Sequence, residues 1–310
     1  MTQDLLIYAP EVAEARANGT AIVALESTII THGMPFPQNV EAARAVEAEV
    51  RRAGATPATI AVTGGKILIG LTDAQLDALG RAEQVMKLSR ADLAACLVQG
   101  KTGATTVAAT MICAHMAGID VFATGGIGGV HRGAETSFDI SADLPELGDT
   151  PVTVIAAGAK AILDLPKTLE YLETRGVPVI AYGQDAFPAF WSRDSGLKAP
   201  LRMDTAADIA AAQLMRTRLG LPGGQLIANP IPLDAEIARS EITPAIEQAL
   251  AEAAAKRIAA KEVTPFLLDR ILELTEGRSL TSNIALVLNN ARLGAAIALE
   301  IVRQRGQQPL

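Results

Sequence analysis

PVTVIAAGAKAILDLPKTLEYLETRGVPVIA, residues 151–181, decides the fold. Two aliphatic runs, Val152–Ala156 (VTVIA) and Val177–Ala181 (VPVIA), enclose a stretch that Pro166 can open in its first helical turn and Gly176 can close. The runs are rich in β-branched residues and do not alternate with polar ones, which is how strands buried on both faces of a parallel sheet read. Outward from this unit the same signature recurs at Ala21–Leu25 (AIVAL), Thr59–Val62 (TIAV), Val121–Ala123 (VFA) and Gln225–Ala228 (QLIA). Helical stretches lie between the runs. Pro37 to Ala53 places Val40, Ala43, Val46 and Val50 at helical spacing before Gly54, and Ser89 can cap a segment that ends before Gly100. Thr105 to Ala117 ends at Gly118, and Asp204 opens a helix to Leu219 before Gly220. From about residue 233 the chain reads as almost wholly helical, with a last helix from Ser282 to Arg305. The expectation is one α/β domain over residues 1–310: a three-layer α/β/α arrangement with a largely parallel or mixed central sheet and a helical C-terminal third.

Composition narrows the function. Of 310 residues, 49% are apolar and 20% charged, which excludes disorder for the bulk of the chain. The net charge of −7 and pI near 5.1 argue against a nucleic-acid or anionic-membrane partner, and 3% aromatic content against a base-stacking platform. Cys96 and Cys113 sit in apolar helical stretches, have no CxxC or Cys/His metal spacing, and read as buried thiols in a reducing compartment. The N-terminus, with Asp4 and no basic region before an apolar core, shows no signal peptide, so the expected location is the cytoplasm. The longest nearly uncharged run, Gly103 to Ile119, falls short of a membrane span.

One segment breaks the pattern. Gly125 to Thr150 has neither helical nor strand periodicity, and it carries four glycines followed by His131, Arg132, Glu135, Asp139 and Asp143. A loop that long inside a compact domain points to function. In open α/β sheets ligands bind beyond the carboxyl ends of the strands. After the aliphatic runs stand Glu26, Lys66, Lys87, Thr124, Lys160, Gln184, Asp185 and Asn229, which the fold would gather along one sheet edge.

Each has two readings. Lys160, in AAGAKAILDL, is either a solvated surface lysine or a desolvated amine of lowered pKa that can attack a carbonyl carbon and form an imine. Glu26, directly behind a buried run, is either a carboxylate satisfied by backbone amides or a general acid of raised pKa. Thr102–Thr106 (TGATT), leading into a helix, is either a capping sequence or an anion site whose amides and hydroxyls face a phosphate. Gly100-Lys101-Thr102 lacks the earlier glycine of a Walker A loop, having Ala95 there, and Gly126-Ile127-Gly128 has His131 where a dinucleotide fingerprint needs glycine. His32 and His115 are given no role.

These residues lie in long, unusual strings. LESTIITHGMPFPQN (25–39), TGGKILIGL (63–71), KLSRADL (87–93), TGATTVAATM (102–111), VFATGGIGGVHRGAETSFDISADL (121–144), VIAAGAKAILDLPKTLEYLET (154–174) and LTSNIALVLNNARLGAAIA (280–298) closely resemble, in order, the pseudouridine-5′-phosphate glycosidase family; residues 233–262 are unmatched. The resemblance implies a lyase that interconverts pseudouridine 5′-phosphate plus water with uracil and ribose 5-phosphate. It implies Glu26 as proton donor, Lys160 as nucleophile and Asp139 as ligand of one divalent cation, Mn²⁺ or alternatively Mg²⁺. It further implies substrate contacts from Lys87, Thr106, Val107, His131, Ser141, Ala142, Asp143 and Asn283, and a homotrimer.

The chemistry agrees with that assignment. The bond to be cut joins C1′ of ribose to a carbon of uracil, and a carbon leaving group does not depart readily as an anion, so the two-carboxylate glycosidase device falls short. Opening the ribose and linking C1′ to an amine offers a route through an iminium, with uracil protonated at the carbon it loses. One carboxylate with several waters suits a hard cation. The rival enzyme readings are a Schiff-base aldolase, a nucleoside hydrolase acting on another sugar phosphate and, more weakly, a sugar kinase. The non-enzymatic rival is a sugar-phosphate sensor, which would need neither Glu26 nor Lys160.

Overall fold

The computed structural model describes residues 3–258 and 263–307. Residues 259–262, inside the expected helical tail, and the extreme ends of the 1–310 domain lie outside the described residues. Among the described residues eleven strands form one sheet: β1 Leu6–Tyr8, β2 Ile22–Leu25, β3 Thr56–Thr63, β4 Lys66–Ile69, β5 Met86–Leu88, β6 Gly103–Thr105, β7 Val121–Ala123, β8 Thr153–Ala156, β9 Val179–Tyr182, β10 Leu201–Met203 and β11 Gln225–Ala228. The order β3-β2-β7-β8-β11-β9-β10 is parallel throughout. All six anticipated aliphatic runs are strands.

The mixed character comes from β3. Its first half, Thr56–Thr59, pairs parallel with β2, and its second half pairs antiparallel with β4 and β6. β1 adds to β4, and β5 to β6, both in parallel. Lys66 therefore begins β4 after the Gly64-Gly65 turn rather than closing β3. Its Nζ reaches the Asp4 carbonyl at 2.8 Å, far from the strand ends it was expected to join.

Helices cover both faces. Gln38–Arg52 and Ala206–Arg218 flank the long C-terminal helix Arg278–Arg305, which lies on β2, β7 and β8. Gly294 permits that approach: a Cβ there would stand 3.3 Å from the Ala123 Cβ. Val107–Met116, Asp143–Asp149 and Leu165–Thr174 pack on one another on the opposite face. The core between these layers is aliphatic and alanine-rich, with Phe122, Phe187 and Trp191 its largest fully buried side chains. Each large aliphatic group sealed there contributes roughly 1.5–3 kcal/mol. Both cysteines are buried, and burial pushes the Cys113 thiol up to about 12.

Two expectations need correction. Gly125–Thr150 is not free of regular structure: it holds a short helix at Ala134–Ser137 and another at Asp143–Asp149. The latter is seven residues long and contains Pro145 and Gly148, so one turn of buried Leu144 and Leu147 is too little to show a period. Second, the C-terminal helix starts at Arg278, four residues earlier than expected, behind Gly277 in a left-handed conformation (φ 87°). Gly103–Ile119 falls short of a membrane span as expected, its helix running only from Val107 to Met116; the C-terminal helix is the one among the described residues long and apolar enough to cross a membrane, and 56% of its apolar window is buried in the fold, as a core helix requires.

Candidate active site

Strand register assembles the site. Leu25 pairs with Ala123, and Ala123 with Ile155, so Glu26 and Thr124 leave the sheet side by side. Leu88 pairs with Thr105, which brings Lys87 and Thr106 to the same edge. Beyond this edge lies a cavity of about 410 Å³, and all eleven expected residues line it: Glu26, Lys87, Thr106, Val107, His131, Asp139, Ser141, Ala142, Asp143, Lys160 and Asn283. Of the other strand-end residues, Lys66, Thr124, Gln184, Asp185 and Asn229 do not line it. Gln184 instead donates to the Ala186 and Arg193 carbonyls, and Asn229 to Asn290.

The Glu26 carboxylate is held from both sides: Thr28 Oγ1 donates to one oxygen and Thr124 Oγ1 to the other. These partners, not backbone amides, satisfy it. Lys160 follows the turn after β8 and is half-buried; its Nζ donates to the Gly126 carbonyl at 3.2 Å. Gly126 tolerates no side chain, since a Cβ would meet the Phe190 ring at 2.6 Å.

The TGATT reading is half right. Gly103–Thr105 is a strand, and the Thr105 hydroxyl is buried, donating to the Ile60 carbonyl. Only Thr106 of this stretch, with Val107 next after it, reaches the cavity. Thr106 caps the helix Val107–Met116, with its hydroxyl donating to the Leu88 carbonyl at 2.7 Å. Asp143 is 6% exposed, and its two oxygens accept the amides of Ala108 (2.9 Å) and Gly128 (2.8 Å).

A cationic environment stands inside this acidic protein. Burial, then the Lys160 and Lys87 charges, hold the His131 ring below its usual value against the upward pull of Asp139, whose carboxylate lies 3.9 Å from Nδ1. Burial and Lys87 likewise lower His32. Both rings are neutral at pH 7 beside ammonium groups, an arrangement suited to a substrate anion. His32, assigned nothing from sequence, is thus a cavity residue, with Nδ1 2.6 Å from the Thr31 hydroxyl. The helix Val263–Leu274 falls in the stretch expected to be helical, but its place at the site was missed: Thr264, Leu268 and Leu272 close one side of the cavity.

Among the described residues no group of three or more His, Cys, Asp and Glu converges on a point. The Asp139 side chain is 38% exposed at the cavity edge. A single accessible carboxylate fits a hard cation that keeps most of its water, and does not fit a closed structural metal site.

Fold and cavity define an α/β enzyme whose site joins a lysine to a doubly hydrogen-bonded carboxylate. The chain belongs to the family described as indigoidine synthase A like protein, whose model matches residues 11–300. It is 73% identical to a pseudouridine-5′-phosphate glycosidase from Jannaschia sp. (strain CCS1), over 94% of this chain and 97% of that protein. It is 58% identical to one from Geobacillus kaustophilus, over 96% and 99%. Among solved structures, the prealnumycin C-glycosynthase AlnA in complex with ribulose 5-phosphate superposes with a TM-score of 0.91 at 37% identity, covering 99% of this chain and all of that one. An indigoidine synthase A-like protein from Thermotoga maritima gives 0.87 at 32%, covering 96% and 97%.

Proposed function

We propose that the chain is a lyase that cleaves the C–C glycosidic bond of pseudouridine 5′-phosphate, giving uracil and ribose 5-phosphate, through an imine on Lys160. The observation that carries this is the meeting of Lys160 and Glu26 in one cavity, within a chain 73% identical to a pseudouridine-5′-phosphate glycosidase. Lys160 Nζ, once it has given up its proton to solvent, bonds to C1′ while the C1′–O4′ bond breaks and O4′ takes a proton from Glu26. The bonded nitrogen then passes its extra proton to the Glu26 carboxylate, which regains its lost proton and delivers it to C5 of the base. The electron pair of the C1′–C5 bond restores the C5=C6 double bond of uracil, while the nitrogen lone pair forms C1′=N⁺. Water hydrolyses that iminium, releasing ribose 5-phosphate and the free lysine.

Thr28 and Thr124 orient the Glu26 carboxyl for these transfers. Lys87, Thr106 and Val107 with the neutral His131 face the phosphate, and Ser141, Ala142 and Asn283 complete the contacts. Asp139 would hold Mn²⁺, or Mg²⁺, largely through water, and the cation would supply positive charge toward the bound anion. The enzyme would work as a cytoplasmic homotrimer, which light scattering tests.

The decisive experiment mixes protein, Mn²⁺ and pseudouridine 5′-phosphate and follows free uracil. Borohydride added during turnover is expected to fix a ribose-phosphate mass on the peptide containing Lys160. Uracil release with that peptide unmodified would remove the imine, and no uracil release would remove the whole reading.

A further inference from the structure

An indole N–H can only donate a hydrogen bond. That of Trp191 donates to Asn283 Oδ1 at 2.7 Å and to the Ser279 carbonyl at 3.2 Å. Trp191 is 1% exposed, so neither a turn of its ring nor a water can replace this contact. A carboxamide has an acceptor oxygen and a donor nitrogen, and half a turn exchanges them. At Asn283 that exchange would set NH₂ against the indole N–H, two donors face to face in a dry setting. The oxygen is therefore fixed on Trp191. Nδ2, which donates to nothing else among the described residues, is left toward the cavity that Asn283 lines.

The backbone before Trp191 is strained in a way that serves this contact. Phe190 adopts φ 59°, a left-handed conformation that a bulky residue occupies only when its surroundings impose it. The Phe190 N–H donates to the Ala157 carbonyl at 2.9 Å, and its ring packs against Gly126, whose carbonyl accepts Lys160. The two rings meet edge to face with centroids 5.0 Å apart. One strained dipeptide thus buttresses the lysine's acceptor with one ring and Asn283 with the other.

We infer that Trp191 is a positioning residue that fixes the Asn283 amide as a hydrogen-bond donor toward a carbonyl oxygen of the base, so that the site selects a uracil-type base over one bearing an amino group at that place. The inference rests on the glycosidase reading above and adds to it the origin of base selectivity. A site built to donate to a carbonyl leaves its donor facing another donor when that oxygen becomes NH₂, which is a strong basis for rejection.

The test follows base release from pseudouridine 5′-phosphate and from its two analogues in which O4 or O2 is replaced by an amino group. The wild type is expected to favour the uracil compound over at least one analogue by about tenfold or more in kcat/KM, one hydrogen bond's worth. Trp191→Phe keeps an aromatic ring but frees the amide to turn, and should close most of that gap, chiefly through KM. Asn283→Asp keeps an acceptor for Trp191 but offers a second acceptor to the base, and should move the preference toward the amino compound. A tryptophan needed only for packing would lower all three rates together and leave their ratio unmoved. A wild type that releases no uracil overturns the glycosidase reading. A wild type that releases it without discrimination, or a folded Trp191→Phe with full discrimination, overturns the role of Trp191. Should Trp191→Phe not fold, Asn283→Asp decides: a shifted preference supports the lock and an unchanged one refutes it.

Discussion

The carboxylate of Asp143 accepts the Gly128 amide at 2.8 Å while its other oxygen accepts the Ala108 amide at 2.9 Å, so one buried side chain ties the glycine-rich loop to the start of the helix Val107–Met116. A carboxylate engaged by two amides beside a helix N-terminus is well stabilised. Both contacts need an acceptor, and asparagine has only one. Asp143→Asn should therefore cost about 1–3 kcal/mol of stability. It should also lower kcat/KM by loosening Gly128, without abolishing turnover. Denaturant melts and kinetics together check this; a variant with unchanged stability would show that the two amides find other partners.

Glu26 and Lys160 should fail in different ways. Glu26→Gln keeps the Thr28 and Thr124 contacts within reach but has no proton to give, so kcat should fall by roughly 10²–10⁴-fold with KM little changed. Lys160→Arg keeps the positive charge and the Gly126 carbonyl as partner, yet its guanidinium is never deprotonated. It should bind substrate, release no uracil and give no borohydride-trapped adduct. Mass spectrometry of the trapped protein distinguishes this from a charge-only role, in which Arg would retain activity.

How much of this was legible in the sequence follows from the range of the contacts. The six interior strands announce themselves because burial on both faces demands unbroken aliphatic runs, as at Val152–Ala156. β10 escapes notice: it is three residues at the sheet edge, with Leu201 and Arg202 exposed, so nothing forces an apolar pattern. The eleven expected residues that line the cavity were all reached through motif strings, and the strand-end rule alone gave Glu26, Lys87 and Lys160 but also Lys66, which a Gly64-Gly65 turn carries away. Two of the contacts that orient the chemistry stay hidden because their partners are remote in sequence. Thr124 stands 98 residues from Glu26, and Trp191 stands 92 from Asn283. His32 was silent for another reason: a single histidine carries no period and no spacing to read.

Glu47 offers a pH test away from the site. It is buried in the helix Gln38–Arg52, accepts the Thr59 hydroxyl at 2.6 Å, and also accepts Arg51 at 3.2 Å. Burial raises its pKa above the ordinary 4.5, outweighing the opposing pull of Thr59 and Arg51. The folded state therefore holds this proton more tightly than the unfolded chain. The resulting stability is fully present below 4.5 and is lost as pH rises through the raised folded value. Glu47→Gln imitates the protonated form at every pH. Relative to wild type, the variant should gain stability as pH climbs from 4.5 toward neutrality, read as the difference between paired urea melts. A difference that stays flat with pH would mean that Arg51 fully compensates the burial.

Asp139 sets the metal requirement. Its carboxylate is 38% exposed and lies 3.9 Å from His131 Nδ1, and among the described residues no acidic cluster shares the load. A cation resting on one carboxylate and water is bound weakly and exchanges readily. Chelation should therefore abolish uracil release reversibly, with Mn²⁺ restoring it, and leave the melting curve almost unchanged because no closed metal site supports the fold. Asp139→Asn keeps an oxygen ligand but removes the charge, so it should need at least about tenfold more Mn²⁺ for half-maximal rate, while the rate at saturation recovers in large part. A rate indifferent to chelator in the wild type, or an unshifted Mn²⁺ dependence in Asp139→Asn, would place the cation elsewhere or remove it from the reaction. The same titration separates the two roles open to the residue, since an Asp139 that only pairs with His131 would alter the pH profile and not the metal dependence.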